Sequence, residues 1–271
     1  MKCYNFEYIN FSNGLFKNID MSYVIHLEGN GRLKSIKNQL NKFKVTRKCC
    51  IVHNKGFKKC NKSNYINNNP ILDLSHAYLT ILKNAKENNY NNILIFEDDF
   101  FFDKEIENHA NEINNFIISN KFHTYYLGAL PGLMQSIDLK FKHYKYIFGG
   151  GAHSIIYSKN AINILLENSN IVSIKQWDVV LFEFLTEQYI YYRPLCYQLF
   201  THTENSKYWI EGNKLLIKLT FMFIKLFKLD TRTDGYFFMY KLAKIGNYLF
   251  IYWLTLICLL NKLYKLNLRI F

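Results

Sequence analysis

Glu97, Asp98 and Asp99 stand side by side directly after the apolar run Ile93, Leu94, Ile95 and Phe96. Adjacent carboxylates repel, and each raises its neighbours' affinity for protons unless a cation offsets the charge. A divalent metal is the simplest such offset, and oxygen ligands suit Mn²⁺ or Mg²⁺. A solvated acidic loop is the plainer reading. Position favours a ligand site, because a short unbroken apolar run reads as a strand covered on both faces, and ligands bind beyond the carboxyl ends of strands in open α/β sheets.

Other residues invite chemistry or a structural role. Asp178 follows Trp177 at the start of a helical pattern, so it can serve as a general base or cap that helix. Trp177 is the aromatic best placed to lie against a ligand. Gly149, Gly150 and Gly151 permit either a tight strand connection or close backbone approach to a ligand. Ser75 and His76 lie on a predicted helix, where His76 could equally pack or bond to backbone. Cys49, Cys50, His53 and Cys60 lack the spacing of common zinc sites.

The elements that must position these residues alternate. Tyr23 to Leu27 reads as a strand that gives way to Glu28, Gly29, Asn30 and Gly31, then to a helix with Leu33, Ile36, Leu40 and Phe43 on one face. A second strand covers Cys49 to Val52, and the Lys- and Asn-rich stretch through Asn69 reads as a mobile surface loop. Asp73 is placed to cap an amphipathic helix carrying Leu74, Ala77, Tyr78, Ile81, Leu82 and Ala85. After the strand that ends at Glu97 come a helix near 106–118, strands near 125–127, 144–148 and 154–157, a helix capped by Ser158, a helix from Trp177 to Phe184, and extended segments at 189–192 and 195–200. The order is mixed α/β without internal repeats.

The chain of 271 residues is 49% hydrophobic, enough for one large core. Residues 1–211 read as a catalytic domain and 212–271 as a basic, apolar helical tail. In the tail the uncharged run Tyr248 to Leu260 is shorter than a membrane span. It is flanked by Lys241, Lys244, Lys262 and Lys265, which suits peripheral contact with anionic lipid as well as a helical pair packed on the domain. The net charge of +13 attracts phosphates, nucleic acid or an anionic membrane without choosing among them. The six cysteines form no CxxC pair or regular framework, so reduced thiols in a cytoplasmic setting are expected. The N-terminus lacks the apolar stretch of a signal peptide. No nucleic-acid motif is present, so no nucleic-acid partner is expected.

Several pieces in fixed order carry a resemblance. Tyr23-Val24-Ile25-His26-Leu27-Glu28 with Arg32 comes first, then Leu74-Ser75-His76, then Ile93 to Asp99. Tyr126-Leu127-Gly128 and Gly149-Gly150-Gly151-Ala152 follow, with Trp177-Asp178 and Pro194 with Gln198 as later blocks. Over roughly residues 21 to 206 this resembles glycosyltransferase family 25, the lipopolysaccharide and collagen galactosyltransferases. It departs at His26, where the family usually has Asn, and lacks the Gly shortly before the Ser-His pair.

The resemblance implies a GT-A fold, a mixed, mostly parallel sheet flanked by helices with a helical C-terminal extension here. It further implies inverting transfer of a hexose, galactose or glucose, from a nucleotide-diphosphate donor such as a UDP-hexose to a glycan, lipid or protein hydroxyl. His26, Leu27, Glu28 and Arg32 would border the nucleotide, and Ser75, His76 and Gly150 the donor. Asp99 would bind Mn²⁺ or Mg²⁺, with Glu97 or Asp98 contacting metal or ribose. His202 would be a third metal ligand and Asp178 the base. The competing reading is an inactive GT-A-like basic protein that binds polyanions or membrane.

Overall fold

The computed structural model describes residues 2–62, 69–198, 214–230, 233–246 and 248–249. One sheet of seven strands organises them: β1 (Tyr4–Asn10), β2 (Met21–Leu27), β3 (Lys48–Asn54), β4 (Asn92–Glu97), β6 (Thr124–Ser136), β7 (His143–Ser158) and β8 (Gln188–Tyr191). The spatial order is β1-β3-β2-β4-β7-β6-β8. β2 pairs in parallel with β3 and β4, and β6 with β8, whereas β1 and β7 run against their neighbours. The sheet is therefore mixed, with five of seven strands pointing one way. A small antiparallel pair, β5 (Phe100–Phe102) with β9 (Cys196–Gln198), stands beside it.

Strand alternation sorts the core into two clusters. Tyr23, Ile25, Cys50, Val52, Ile93 and Ile95 face a cluster with α2 (Pro70–Glu87), α4 (Lys159–Glu167) and α6 (Trp177–Phe184). Their sequence neighbours Val24, Cys49, Ile51, Leu94 and Phe96 face α1 (Leu33–Phe43) and α3 (Ile106–Ser119). The central strands are apolar on both sides because each side carries a helical layer, and each large apolar side chain so buried contributes roughly 1.5–3 kcal/mol. Between α4 and α6 lies the short helix α5 (Ser169–Val172). Farther on, α7 (Lys214–Leu226) and α8 (residues 234–246) follow. Ile224, Leu229, Tyr236, Tyr240 and Ala243 join the same cluster as α2 and α6, so both helices share the core of the sheet.

Several local expectations are corrected. The helix α2 begins at Pro70, and Asn69 is its cap, accepting from the backbone N–H groups of Ile71 and Leu72. Asp73 falls in the first turn, buried, and accepts from Asn54 Nδ2 (2.9 Å) and from Lys62 Nζ. Proline at the first helical position moves the start three residues upstream of the position read from the apolar pattern. β1 is an additional strand, legible afterwards in the alternation Tyr4, Phe6 and Tyr8. Gly149 to Gly151 lie within β7 instead of joining two strands.

Cys3 and Cys60 form a disulfide, overturning the expectation of reduced thiols for this pair. β1 lies antiparallel on β3, which brings Cys3 beside the segment that follows β3. Cys49, Cys50 and Cys196 are free and buried. The beginning of the presumed surface loop is thus tied down, by Cys60 and by the buried Lys62–Asp73 ion pair. Cross-linking positions 57 residues apart restricts the unfolded chain by about 4 kcal/mol in the chain-entropy limit. A Cys60→Ser variant should therefore melt well below the parent without reductant. Adding reductant should bring the parent down to the variant, as read by thermal denaturation.

Candidate active site

β4 delivers the three carboxylates to different surroundings. Alternation carries Ile93, Ile95 and then Glu97 toward α2, and the chain turns immediately afterwards to place Asp98 and Asp99 beside the loop that follows β2. There Asp98 is fully engaged. Its Oδ1 lies 2.5 Å from Arg32 Nη1, and its Oδ2 accepts from the Leu27 backbone N–H (3.1 Å) and from Asn30 Nδ2. Arg32 Nη1 also lies 3.3 Å from Asp99 Oδ2. The cation that offsets these two acids in the folded chain is thus Arg32, a charge-assisted pairing stronger than a neutral hydrogen bond.

Asp99 keeps one oxygen without a partner. Its Oδ2 accepts from Gln198 Nε2 at 3.0 Å, whereas its buried Oδ1 has no hydrogen-bond partner. Burial pushes the Asp99 carboxyl up to about 6, with Arg32 opposing the rise and Asp98 adding to it. Gln198 is itself held from α8, because its backbone N–H donates to Tyr236 Oη (3.2 Å) and Tyr236 donates to its carbonyl (2.8 Å). A buried acceptor without a partner is unfavourable, and its exposure to a cation or donor group would relieve it.

Glu97 and Asp178 form the second half of the site. Tyr78 Oη of α2 lies 3.0 Å from Glu97 Oε1 and 3.0 Å from the Ala152 carbonyl oxygen. A hydroxyl has one proton, so both contacts are satisfied together when Glu97 is protonated and donates to Tyr78 while Tyr78 donates to Ala152. Burial, then the Asp99 and Asp178 charges, push Glu97 well above the usual carboxylate range, which agrees with that state. Asp178, in the first turn of α6, is likewise raised to about 6 by burial, while a hydrogen bond from the Gly151 backbone opposes the shift. Gly151 adopts φ +92°, a left-handed conformation that L side chains resist.

The other predicted residues are placed as follows. Ser75 is buried and donates to the carbonyls of Lys175 (2.8 Å) and Ile71 (3.3 Å), fastening α2 to the segment before α6. His76 stacks on Tyr4 with its Nδ1 2.8 Å from Tyr4 Oη, toward β1. Neither touches the carboxylates through a hydrogen bond. His26 is buried with Nδ1 3.0 Å from His53 Nδ1, and His53 Nε2 lies 2.9 Å from Glu7 Oε2. With His53 donating to Glu7, His26 must supply the proton between the two rings. Glu28 is half-buried, and its backbone N–H donates to the Asn54 carbonyl. A Cβ on Gly150 would meet nothing, so its surface is open. Trp177 is buried against Tyr78 with ring centroids 4.3 Å apart and donates to Tyr157 Oη (2.9 Å), so it is a core residue and not a sugar platform. His202 lies outside the described residues.

Two features escaped the sequence reading. His153 is fully buried, donates through Nε2 to the Cys196 carbonyl (3.3 Å), and has no partner for Nδ1. Beside it, a Cβ on Gly128 would stand 1.8 Å from the same carbonyl oxygen, so glycine is required for β6 to approach β9. The Tyr126-Leu127-Gly128 block carried no sign of that contact, since β9 is distant in sequence.

No protein-family model matches this chain, and no curated protein matches it by sequence. Among solved structures, it is similar to a glycosyltransferase involved in the glycosylation of the major capsid of PBCV-1. That alignment has 9% identity and TM-score 0.41 and covers 68% of this chain and 93% of the other. It is also similar to A197 from STIV, at 14% identity and TM-score 0.35, over 63% and 80% of the two chains. These likenesses assign no residue a role.

Among the described residues, no group of three His, Cys, Asp or Glu side chains is arranged to hold a metal. The fit is therefore limited to Asp99 Oδ1 as one buried oxygen without a partner. That is compatible with a Mg²⁺-type ion, which is commonly held by one or two carboxylates and completed by substrate phosphates and water. The raised Asp178 value has a direct stability consequence. A carboxyl lifted from the ordinary range to about 6 contributes stability below about pH 4 that is lost as pH rises through 6. Asp178→Asn keeps an acceptor for Gly151 and should raise the melting temperature at pH 7.5, by at most roughly 2–3 kcal/mol of stability. The gain should fall to about a third at pH 4.5 and vanish near pH 3, and an equal gain at pH 7.5 and pH 3 would contradict the assignment.

Proposed function

We propose that the chain is a glycosyltransferase of GT-A type that moves a hexose from a nucleotide-diphosphate donor, a UDP-galactose or UDP-glucose, to a hydroxyl of a glycan, lipid or protein. The observation that carries this reading is the division of labour among the acids at the carboxyl end of β4. Arg32 and the loop after β2 hold Asp98, Asp99 keeps one buried oxygen without a partner, and Glu97 and Asp178, which interact through their charges, both have elevated proton affinity. The ordered motifs of family 25 support the same reading from sequence.

In this reading Asp98 is a structural clamp that fixes the loop carrying Leu27, Asn30 and Arg32. Arg32 then offers its remaining donors to a phosphate. Asp99 would hold Mn²⁺ or Mg²⁺, which when bound neutralises charge on the leaving diphosphate. Glu97, in its protonated state, limits the negative charge near the sugar. Asp178 accepts the proton of the attacking acceptor hydroxyl, and Gly150 leaves room for the substrate.

Donor binding tests the proposal. UDP, UDP-galactose and UDP-glucose should raise the melting temperature in the presence of MnCl₂ and much less in its absence, and Asp99→Asn should remove the metal-dependent part. A folded protein that responds to no nucleotide sugar with metal present would sink the idea. Turnover should rise through pH 6 as Asp178 loses its proton. Asp178→Asn should lower it about 10²-fold or more while leaving donor affinity within a few-fold; an unchanged rate would remove Asp178 from the chemistry.

A further inference from the structure

The outer faces of α7 and α8 are inverted relative to ordinary surface helices. On α7, Ile224 is buried in the core, and Phe221, Phe223 and Phe227 pack against that core. The opposite side carries Leu219, Met222 and Leu226, spaced three and four apart and 46%, 63% and 71% exposed. A helix whose buried side is already satisfied normally turns polar side chains outward.

The same arrangement recurs on α8. Tyr236, Tyr240 and Ala243 are buried, and Phe238, Leu242 and Ile245 stand exposed on the other side at the same spacing. The rings of Phe227 and Phe238 stack at 5.1 Å, which joins the segment after α7 to α8. Exposed Lys218 and Lys225 flank the first stripe and exposed Lys241 the second, while half-buried Lys244 lies over the Tyr192 ring at 4.8 Å. From 212 to the end of the chain, ten Lys and Arg face only Asp230 and Asp234.

Charge decides what can cover such a face. A second copy would bring the same lysines together. Residues 250–271 carry Lys262, Lys265 and Arg269 with no acid, so they cannot neutralise the flanks either. An anionic bilayer supplies apolar depth for the stripes and negative headgroups for the lysines. Both helices have their opposite faces in the core, so contact would be lateral; among the described residues no helix is long and apolar enough to cross a membrane. We propose that α7 and α8 together form a docking face that lies in the headgroup layer of an anionic lipid bilayer. This inference does not depend on the catalytic reading.

The test is flotation of the full-length chain with vesicles of phosphatidylcholine alone or mixed with phosphatidylglycerol. Binding is expected only to the mixed vesicles and should weaken as salt rises. Lys218→Glu/Lys225→Glu and, separately, Met222→Glu should each reduce vesicle affinity about ten-fold or more, with an unchanged melting temperature because these side chains are exposed. Three results would overturn the proposal. They are equal binding to both vesicle types or to neither, variants that bind like the parent, and an assembly of copies in size-exclusion chromatography that Met222→Glu dissociates.

Discussion

Arg32 is the hinge of this molecule's chemistry, because a strand that ends in three carboxylates cannot fold without something to hold them. One guanidinium nitrogen reaches both Asp98 and Asp99, and the backbone of Leu27 and the side chain of Asn30 complete the shell around Asp98. That shell couples the loop after β2 to the end of β4, whose strands are already neighbours in register from Met21 against Ile93 to Ile25 against Glu97. Parallel pairing brings two carboxyl ends together, and the ion pair fixes the loops that leave them.

The remaining acids are stabilised by different means. Glu97 is held by Tyr78, a residue whose hydroxyl also reaches Ala152 of β7, and burial raises its proton affinity. Asp178, raised to about 6 by burial, is held by the backbone at Gly151. The four acids are thus held in three ways: Asp98 and Asp99 by an arginine, Glu97 by Tyr78 with its proton affinity raised, and Asp178 by the backbone of Gly151.

The C-terminal helices contribute on both of their sides. Inward, Tyr236 brackets the backbone of Gln198, whose amide reaches Asp99, and Tyr240 accepts from the backbone N–H of Ala129. Outward, they expose leucine, methionine and phenylalanine beside lysines. A segment that reads as an appendage by composition therefore supports an acid of the central site through a chain of two residues.

Local pattern in the sequence was enough to locate the central strands, the helices α1, α2, α3, α4 and α6, and the acidic triplet, because these features are written in apolar periodicity and in abrupt changes of residue type. The alternation along β2, β3 and β4 even set which residues face which helical layer. Tertiary structure alone decided the rest. It turned Trp177 into core, sent Ser75 and His76 to partners on other elements, joined Cys3 to Cys60, and set Arg32 against Asp98 and Asp99. Each of those outcomes depends on a partner far along the chain, and a side chain's role is set by what folding brings within hydrogen-bond reach, which no local pattern encodes.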